Sequence, residues 1–391
     1  MQTESHPRLS DAIQWLQELT AFDTIPTHSN IPLVRHLEER LGAQDIATTT
    51  ALTPNGDKAT FLATIGPNID GGVILSGHTD VVDVAGQDWD TPPFSLSEKN
   101  GRLYARGACD MKGFLACALA MAPLFAQTPL TRPVYLAFSR DEEIGCAGSA
   151  DMLALIKQCG AKPDVALIGE PTRMKTIVGH KAGLTSSTVF HGVAAHSSMP
   201  AEGQSAIPFA ARFITHLDNL EKEMARQADA KSSFSPPHGT INVGMVHGGT
   251  ALNIFAARCE MNWHYRAMPD EDLDAFVDRI NDFLQNTLLP DMRASGHAVA
   301  IENTVNTCYP ALAPLPDSPA LALVAELIGD VSDDAVSFGT EAGHFQQASI
   351  PAVVIGPGDI AQAHKPNEYI EISQLAQCLH FFDKLRSKLS A

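Results

Sequence analysis

Gly72-Val-Ile-Leu-Ser-Gly-His78-Thr-Asp80 is the stretch from which the chain is best read. An unbroken apolar run entered from glycine predicts a buried strand of a parallel sheet. Side chains two apart on an extended chain share a face, so His78 and Asp80 project the same way. A carboxylate beside an imidazole accepts its second N–H, which fixes the tautomer and leaves the other nitrogen for a metal. A histidine that merely ends a strand and an aspartate that merely opens a turn would look the same. The rest of the chain discriminates.

Four further segments end in the same way. Tyr104-Ala-Arg-Gly-Ala-Cys-Asp110-Met-Lys-Gly113 leads into an apolar helix over Phe114–Phe125. The strand Pro133-Val-Tyr-Leu-Ala-Phe138 runs into Asp141-Glu142-Glu143, and Asp164-Val-Ala-Leu-Ile-Gly-Glu170 ends on a carboxylate. Near the end of the chain, Pro351-Ala-Val-Val-Ile355 is followed by a loop that carries His364. Helices are predicted from Ser10 (as N-cap), over Pro32–Leu41 and over Ser149–Cys159. Strands are predicted near Ile46–Leu52 and Ala59–Ile65, and residues 83–103 read as loop. Alternating strands and helices indicate an α/β fold, a mixed, mostly parallel sheet flanked by helices. Ligands of such sheets bind outside the carboxyl ends of the strands. His78, Asp110, Glu142, Glu143, Glu170 and His364 all fall there. Carboxylates gathered so closely repel unless a cation or a shared proton compensates them, and a metal site is the economical answer.

From Val178 the pattern changes to strand (Gly183–Phe190), helix (Ser205–Arg226), two strands (Thr240–Val246, Ala256–Tyr265), helix (Asp270–Leu289) and strand (Ala298–Val305). That order is the ferredoxin-like α+β unit. The expected organisation is therefore a catalytic domain in two parts, residues 1–177 and 308–391, with an inserted domain over 178–307. For 391 residues, two or three domains of roughly 150 residues each are usual.

The charge balance, 27 basic against 45 acidic residues for a net −18, argues against a nucleic acid or an anionic membrane as partner. No apolar run approaches the ~18 residues of a membrane span, and residues 1–7 show no leader pattern. Seven scattered cysteines (109, 117, 146, 159, 259, 308, 378) without a Cys-x-x-Cys spacing give no disulfide framework. A cytoplasmic protein is expected.

His78-Thr-Asp80, Ala105-Arg-Gly-Ala-Cys-Asp110-Met-Lys-Gly113, Glu142-Glu143, Gly169-Glu170-Pro171-Thr172, Ala195-His196-Ser197 and Ala363-His364-Lys365 stand in an order that resembles a known family. It is that of the dinuclear-zinc aminoacylases, carboxypeptidases G and acetylornithine deacetylases. Gly107-Ala-Cys-Asp-Met-Lys-Gly113, Gly179-His-Lys181 and Phe338-Gly-Thr-Glu-Ala-Gly343 bring the chain nearest to the bacterial acetylornithine deacetylase branch. The resemblance implies a zinc-exopeptidase-like catalytic domain and an insert that acts as lid and dimerisation domain. It implies two divalent metal ions, Zn2+ with Co2+ as an alternative. His78 and Glu170 would hold one ion and Glu143 and His364 the other, and Asp110 would bridge them ahead of a cis peptide bond. Asp80 would orient His78, and Glu142 would act as general base on a water between the ions. His196 would stabilise the oxyanion from the other subunit of a homodimer. Asn253 and Arg266 would bind the substrate carboxylate, with Gly339 and Thr340 adding backbone donors.

The implied reaction is hydrolysis of the small molecule N2-acetyl-L-ornithine to L-ornithine and acetate, a step of arginine biosynthesis. Desuccinylation of succinyl-diaminopimelate, broader N-acyl-amino-acid deacylation and dipeptide cleavage stay open, because acyl and side-chain pockets are not legible in sequence. A non-catalytic metal- or amino-acid-binding protein is a third reading, opposed by Glu142, since a binding module needs no general base. Arg266 could instead pair with Glu260 or Asp270. Glu341 could face a substrate amine or support its loop, and His180 and His344 are read as making local hydrogen bonds.

Overall fold

The computed structural model describes residues 5–329 and 331–391. The leader reading therefore lies outside the described residues at positions 1–4. Two compact units form. One runs to Gly179 and continues with Pro314–Asp334 and Thr340–Ala391, and the other comprises His180–Ala313 and Ala335–Gly339. The second unit starts two residues later than the expected 178 and extends past 307. Its last strand, Ala300–Tyr309, pairs along its whole length with Ala182–His191, which keeps the chain in that unit beyond the expected boundary.

The large sheet has the order Ala47–Leu52, Ala59–Ile65, Val134–Ser139, Val73–His78, Val165–Ile168, Ala352–Val354, Ile177–His180, Asp334–Val336. Val73–His78 is parallel to both of its neighbours, and Ala352–Val354 is parallel to Val165–Ile168. The Ala47–Leu52 and Ala59–Ile65 strands are antiparallel. A mixed, mostly parallel centre is thus what the apolar runs encode. His78 lies level with Ser139 in the register, and Ser76 with Ile168. The segments that follow these strands leave the sheet at one edge.

Helix Lys112–Gln127 is buried from Lys112 through Ala122 and again at Phe125. A helix apolar all round has to be enclosed. One neighbour is the C-terminal helix Ile372–Leu389, with Phe114 and Phe382 ring centroids 5.5 Å apart. At Gly169 the same helix comes so near that a Cβ would stand 2.0 Å from Phe114 Cγ. That contact requires glycine one residue before Glu170.

Two sequence expectations need correction. Ser10 does not cap the first helix, which spans Leu9–Thr20 and has Ser10 inside its first turn. Residues 97–103, expected as loop, form with Tyr104 a hairpin of Ser97–Lys99 and Arg102–Tyr104 that pairs with Tyr369–Glu371. Strands of three residues are too short to show a period, and only the left-handed Asn100-Gly101 pair marks the turn.

In the second unit four antiparallel strands take the order Thr240–Gly248, Arg258–Ala267, Ala182–His191, Ala300–Tyr309. Alternate residues Cys259, Met261, Trp263 and Tyr265 face Phe213 and Leu217 of helix Ile207–Gln227 and Ile280 and Leu284 of the second helical segment. That segment, expected as one helix, is Leu273–Asp282, a wide turn Phe283–Leu288, and Leu289–Arg293. Pro290 has no N–H to give one turn back, and the looser turn before it accommodates the loss. No helix among the described residues is long and apolar enough to cross a membrane.

Candidate metal centre

Asp110 stands at the middle of two donor clusters in the first unit. Its Oδ1 lies 3.2 Å from His78 Nε2, and Glu170 Oε1 lies 3.8 Å from the same nitrogen. Its Oδ2 lies 3.3 Å from His364 Nε2, which is 3.1 Å from Glu143 Oε2. In each trio the donor atoms are within 4.8 Å of one another. Four of the five residues arrive by the same local device. His78 ends its strand, Glu143 follows Val134–Ser139, Glu170 follows Val165–Ile168, and His364 follows Ala352–Val354 in a loop at φ 62°. Asp110 sits in the turn before helix Lys112–Gln127, and the peptide bond after it is cis.

The charges in this pocket do not settle by themselves. Burial pushes Glu142 up to about 8, helped by repulsion from Glu143, Asp80 and Asp110 and opposed by His78. Burial, then Asp110 and Glu142, hold Glu170 well above the usual carboxylate range, and burial and Asp110 raise Glu143. Burial would also raise Asp110, but hydrogen bonds from His364 and His78 overcome it and hold its carboxyl low. His364 in turn is raised to about 10 by Asp110 and Glu143. Burial would lower His78, yet Asp110, Asp80 and Glu170 carry it well above the ordinary imidazole value. The imidazoles thus take up protons to offset the carboxylates. Glu143 Oε1 is buried and has no hydrogen-bond partner among the described residues. Two imidazoles, three carboxylates and one unused lone pair are a donor set that fits a pair of divalent cations.

Asp80 is placed differently from the expectation. His78 Nδ1 makes its hydrogen bond to the main-chain carbonyl of Asp80, at 3.0 Å, and the Asp80 carboxylate is 3.7 Å away. The carboxylate accepts instead from the N–H groups of Glu142 (3.1 Å) and Glu143 (3.0 Å). Two N–H groups pointing at it outbid one ring nitrogen already satisfied by a carbonyl. Glu142 Oε1 accepts from the Cys146 thiol at 3.3 Å. Glu341 is buried, and its Oε1 accepts from Ser76 Oγ at 2.8 Å, so it supports the sheet below His78. His180 makes the local contact expected of it, Nδ1 to Lys181 O at 3.0 Å. His344 Nε2 is buried and has no hydrogen-bond partner among the described residues.

Sequence reasoning missed Glu368. Its Oε1 accepts from the N–H groups of Cys109 (2.8 Å) and Asp110 (3.0 Å), and its Oε2 from Gly107 N–H (3.0 Å) and Arg106 Nη1 (2.7 Å). The only signal was its place four residues after His364.

The remaining candidates belong to the second unit, apart from Thr340, which is buried and caps Ala342 through its Oγ1. His196 is exposed, with Nδ1 2.7 Å from Ser198 Oγ, and the Asn253 carbonyl accepts from Ser197 N–H. Arg266 donates to Tyr309 Oη, whereas Glu260 pairs with Arg258. The Tyr309 ring packs on Gly183 and Gly339, where any Cβ would fall within 2.2 Å of it. Arg266 and Gly339 are thereby brought onto one aromatic ring that the sequence did not single out.

The sequence profile of peptidase family M20/M25/M40 matches residues 74–387. The chain belongs to that family. The acetylornithine deacetylase of Myxococcus xanthus is 34% identical over 373 residues, 93% of each chain. That of Proteus mirabilis is 33% identical over 359 residues, 91% of this chain and 89% of its own. Among solved structures, an M20 family metallo-carboxypeptidase from Sulfolobus solfataricus superposes with a TM-score of 0.76 at 19% identity, over 97% of this chain and 99% of that one. A dinuclear metal binding M20 peptidase from Bacillus subtilis gives 0.64 at 16% identity over 98% of both. The protein is an M20 family metallo-hydrolase.

Proposed function

We propose that this M20 hydrolase removes the acetyl group from N2-acetyl-L-ornithine, giving L-ornithine and acetate for arginine synthesis. The observation that carries the chemistry is the pair of donor clusters sharing Asp110, with Glu142 beside them. The choice of substrate rests on similarity to acetylornithine deacetylases along more than nine-tenths of the chain. In this reading His78, Asp110 and Glu170 hold one divalent ion and Asp110, Glu143 and His364 a second, zinc being the proposed occupant. Bound there, the ions supply a more acidic water and positive charge for the amide oxygen.

The protein's own groups carry the proton. Glu142 takes one from the attacking water and gives it to the nitrogen as the C–N bond breaks. The Cys146 thiol occupies Glu142 Oε1, which leaves Oε2 for that proton. Asp80 holds the main chain of Glu142 and Glu143 together, so base and ligand keep one spacing. His196 is assigned to the developing oxyanion, Asn253 and Arg266 to the substrate carboxylate, and Gly339 and Thr340 to backbone donation. The second unit is assigned as lid and dimerisation domain of a cytoplasmic homodimer.

Release of the free amine, common to every substrate compared, is the test, measured on protein stripped of metal and then resupplied with Zn2+ or Co2+. Release that returns with metal and is faster from N2-acetyl-L-ornithine than from succinyl-diaminopimelate or acetylmethionine supports the proposal. Faster turnover of another acylated amino acid moves the substrate and keeps the chemistry. Metal binding without turnover of any of them overturns the catalytic reading.

A further inference from the structure

We propose that Glu368 is a positioning residue that sets where the Asp110 carboxylate stands between the two metal ions. The inference rests on the assignment of Asp110 as the shared ligand. A carboxylate has about four acceptor positions on its two oxygens. That of Glu368 meets four, three of them main-chain N–H groups of one loop, from Gly107, Cys109 and Asp110, the fourth a guanidinium N–H of Arg106. Both oxygens are used twice, and Glu368, Arg106 and Asp110 are all buried. The turn Arg106–Asp110 is thus wound around one anion, a concavity of N–H groups of the kind that binds anions elsewhere. The Glu368 main chain adds a fifth link, its carbonyl accepting from Ala105 N–H at 3.2 Å.

The other end of this device is the second cluster. Glu368 lies four residues beyond His364, and the loop between them is pinned at both sides. Gln87 Nε2 donates to the His364 carbonyl, Asp90 N–H donates to Asn367 Oδ1, and Arg106 Nη2 donates to Gln87 Oε1. Asp110 and His364 therefore hang from one hydrogen-bonded frame with Glu368 at its centre. A frame of that sort fixes the distance between Asp110 Oδ2 and the His364 nitrogen, which side-chain rotamers alone would leave loose. Ligand supports of this kind commonly change metal affinity or activity by about 10- to 100-fold when removed.

Glu368→Gln keeps the shape and places an NH2 where an oxygen faces two donors. The test is titration of the metal-stripped wild type and E368Q with Co2+, reading stoichiometry and Kd by equilibrium dialysis and the visible absorption of the bound cobalt. Thermal unfolding of both stripped proteins controls for general damage. The expected result is a Co2+ Kd weakened about 10- to 100-fold for the more weakly bound ion, with a changed visible spectrum; the stripped-protein Tm is expected to fall as well, since buried Arg106 loses its charged partner, and the cobalt spectrum separates positioning from that loss. If E368Q does not fold, Glu368→Asp enters the same titration. It keeps both oxygens but draws them back by one methylene, and the same loss is expected. Unchanged Kd and spectrum in a folded variant overturn the positioning role while leaving the metal centre standing. A wild type that binds no Co2+ overturns the metal centre itself, and this proposal with it.

Discussion

Replacing Asp80 with asparagine separates two roles that one side chain could play. The main-chain carbonyl of residue 80, which takes the His78 Nδ1 hydrogen, survives the change. What is lost is one of two carboxylate oxygens, 3.1 Å and 3.0 Å from the N–H groups of Glu142 and Glu143, and an amide N–H then faces a backbone N–H. A hydrogen bond to a charged partner contributes about 1.5–3 kcal/mol. Asp80 is 2% exposed, so solvent screens little of that. If the loss falls on the placement of Glu142 in the transition state, kcat drops roughly 10- to 150-fold at about 1.36 kcal/mol per decade. The assay is acetate release at saturating N2-acetyl-L-ornithine and saturating metal, with metal content measured on the same sample. His78 keeps its partner, so two ions per chain are expected to remain. A D80N enzyme within twofold of the parent, or one that has lost the ion held by His78 and Glu170, refutes the reasoning.

Glu142→Gln is expected to lower kcat by about 100- to 10,000-fold, the usual range for a general base, with metal stoichiometry unchanged in dialysis. Stripping the ions is expected to lower Tm, since a site held at a hundredfold excess over Kd contributes about 2.7 kcal/mol; calorimetry with and without chelator reads it, and an unchanged Tm counts against the site. pH adds a signed version. In stripped protein Glu142 is pushed from 4.5 up to about 8, so between those values the folded chain binds more protons than the unfolded one. Stability of stripped protein then falls as pH rises through that window, and the Tm gap to loaded protein widens from pH 6 to 9. A constant gap would argue otherwise. Gly169→Ala drives a methyl to 2.0 Å from Phe114 Cγ and is expected to cost about 1–3 kcal/mol in urea unfolding, more if the helix cannot shift.

Much of the centre was legible because strand ends announce themselves. An apolar run that stops on a histidine or a carboxylate says both where the sheet edge lies and what faces it, and the structure brings His78, Glu143, Glu170 and His364 into two donor groups there. The strand–helix–strand–strand–helix–strand order of the insert was equally plain, since each element is long enough to show its period. What escaped has two physical causes. The hairpin Ser97–Tyr104 is made of strands too short to alternate, and its stability comes from pairing with Tyr369–Glu371, far along the chain. Glu368 and Tyr309 matter through partners that sequence spacing does not reveal, since Glu368 meets Cys109 and Asp110 from more than 250 positions away. For Asp80, nearness in sequence to His78 does not say which of its oxygens the ring will meet, and the nearer one is its main-chain carbonyl.

The place of Ala352–Val354 in the sheet has a consequence for how the protein is made. This strand lies between Val165–Ile168 and Ile177–His180, and helix Lys112–Gln127 packs on the last helix, Ile372–Leu389. A ribosome emits the first part of the catalytic sheet, then the whole inserted unit, and only afterwards the strand and helix that complete it. At ~5–20 residues per second the wait is on the order of tens of seconds. During it the insert can fold on its own hydrophobic cluster, while the sheet keeps an unpaired edge and its central helix an uncovered side. A chain truncated before Ile372 leaves that side of the helix uncovered and is therefore expected to be recovered as aggregate.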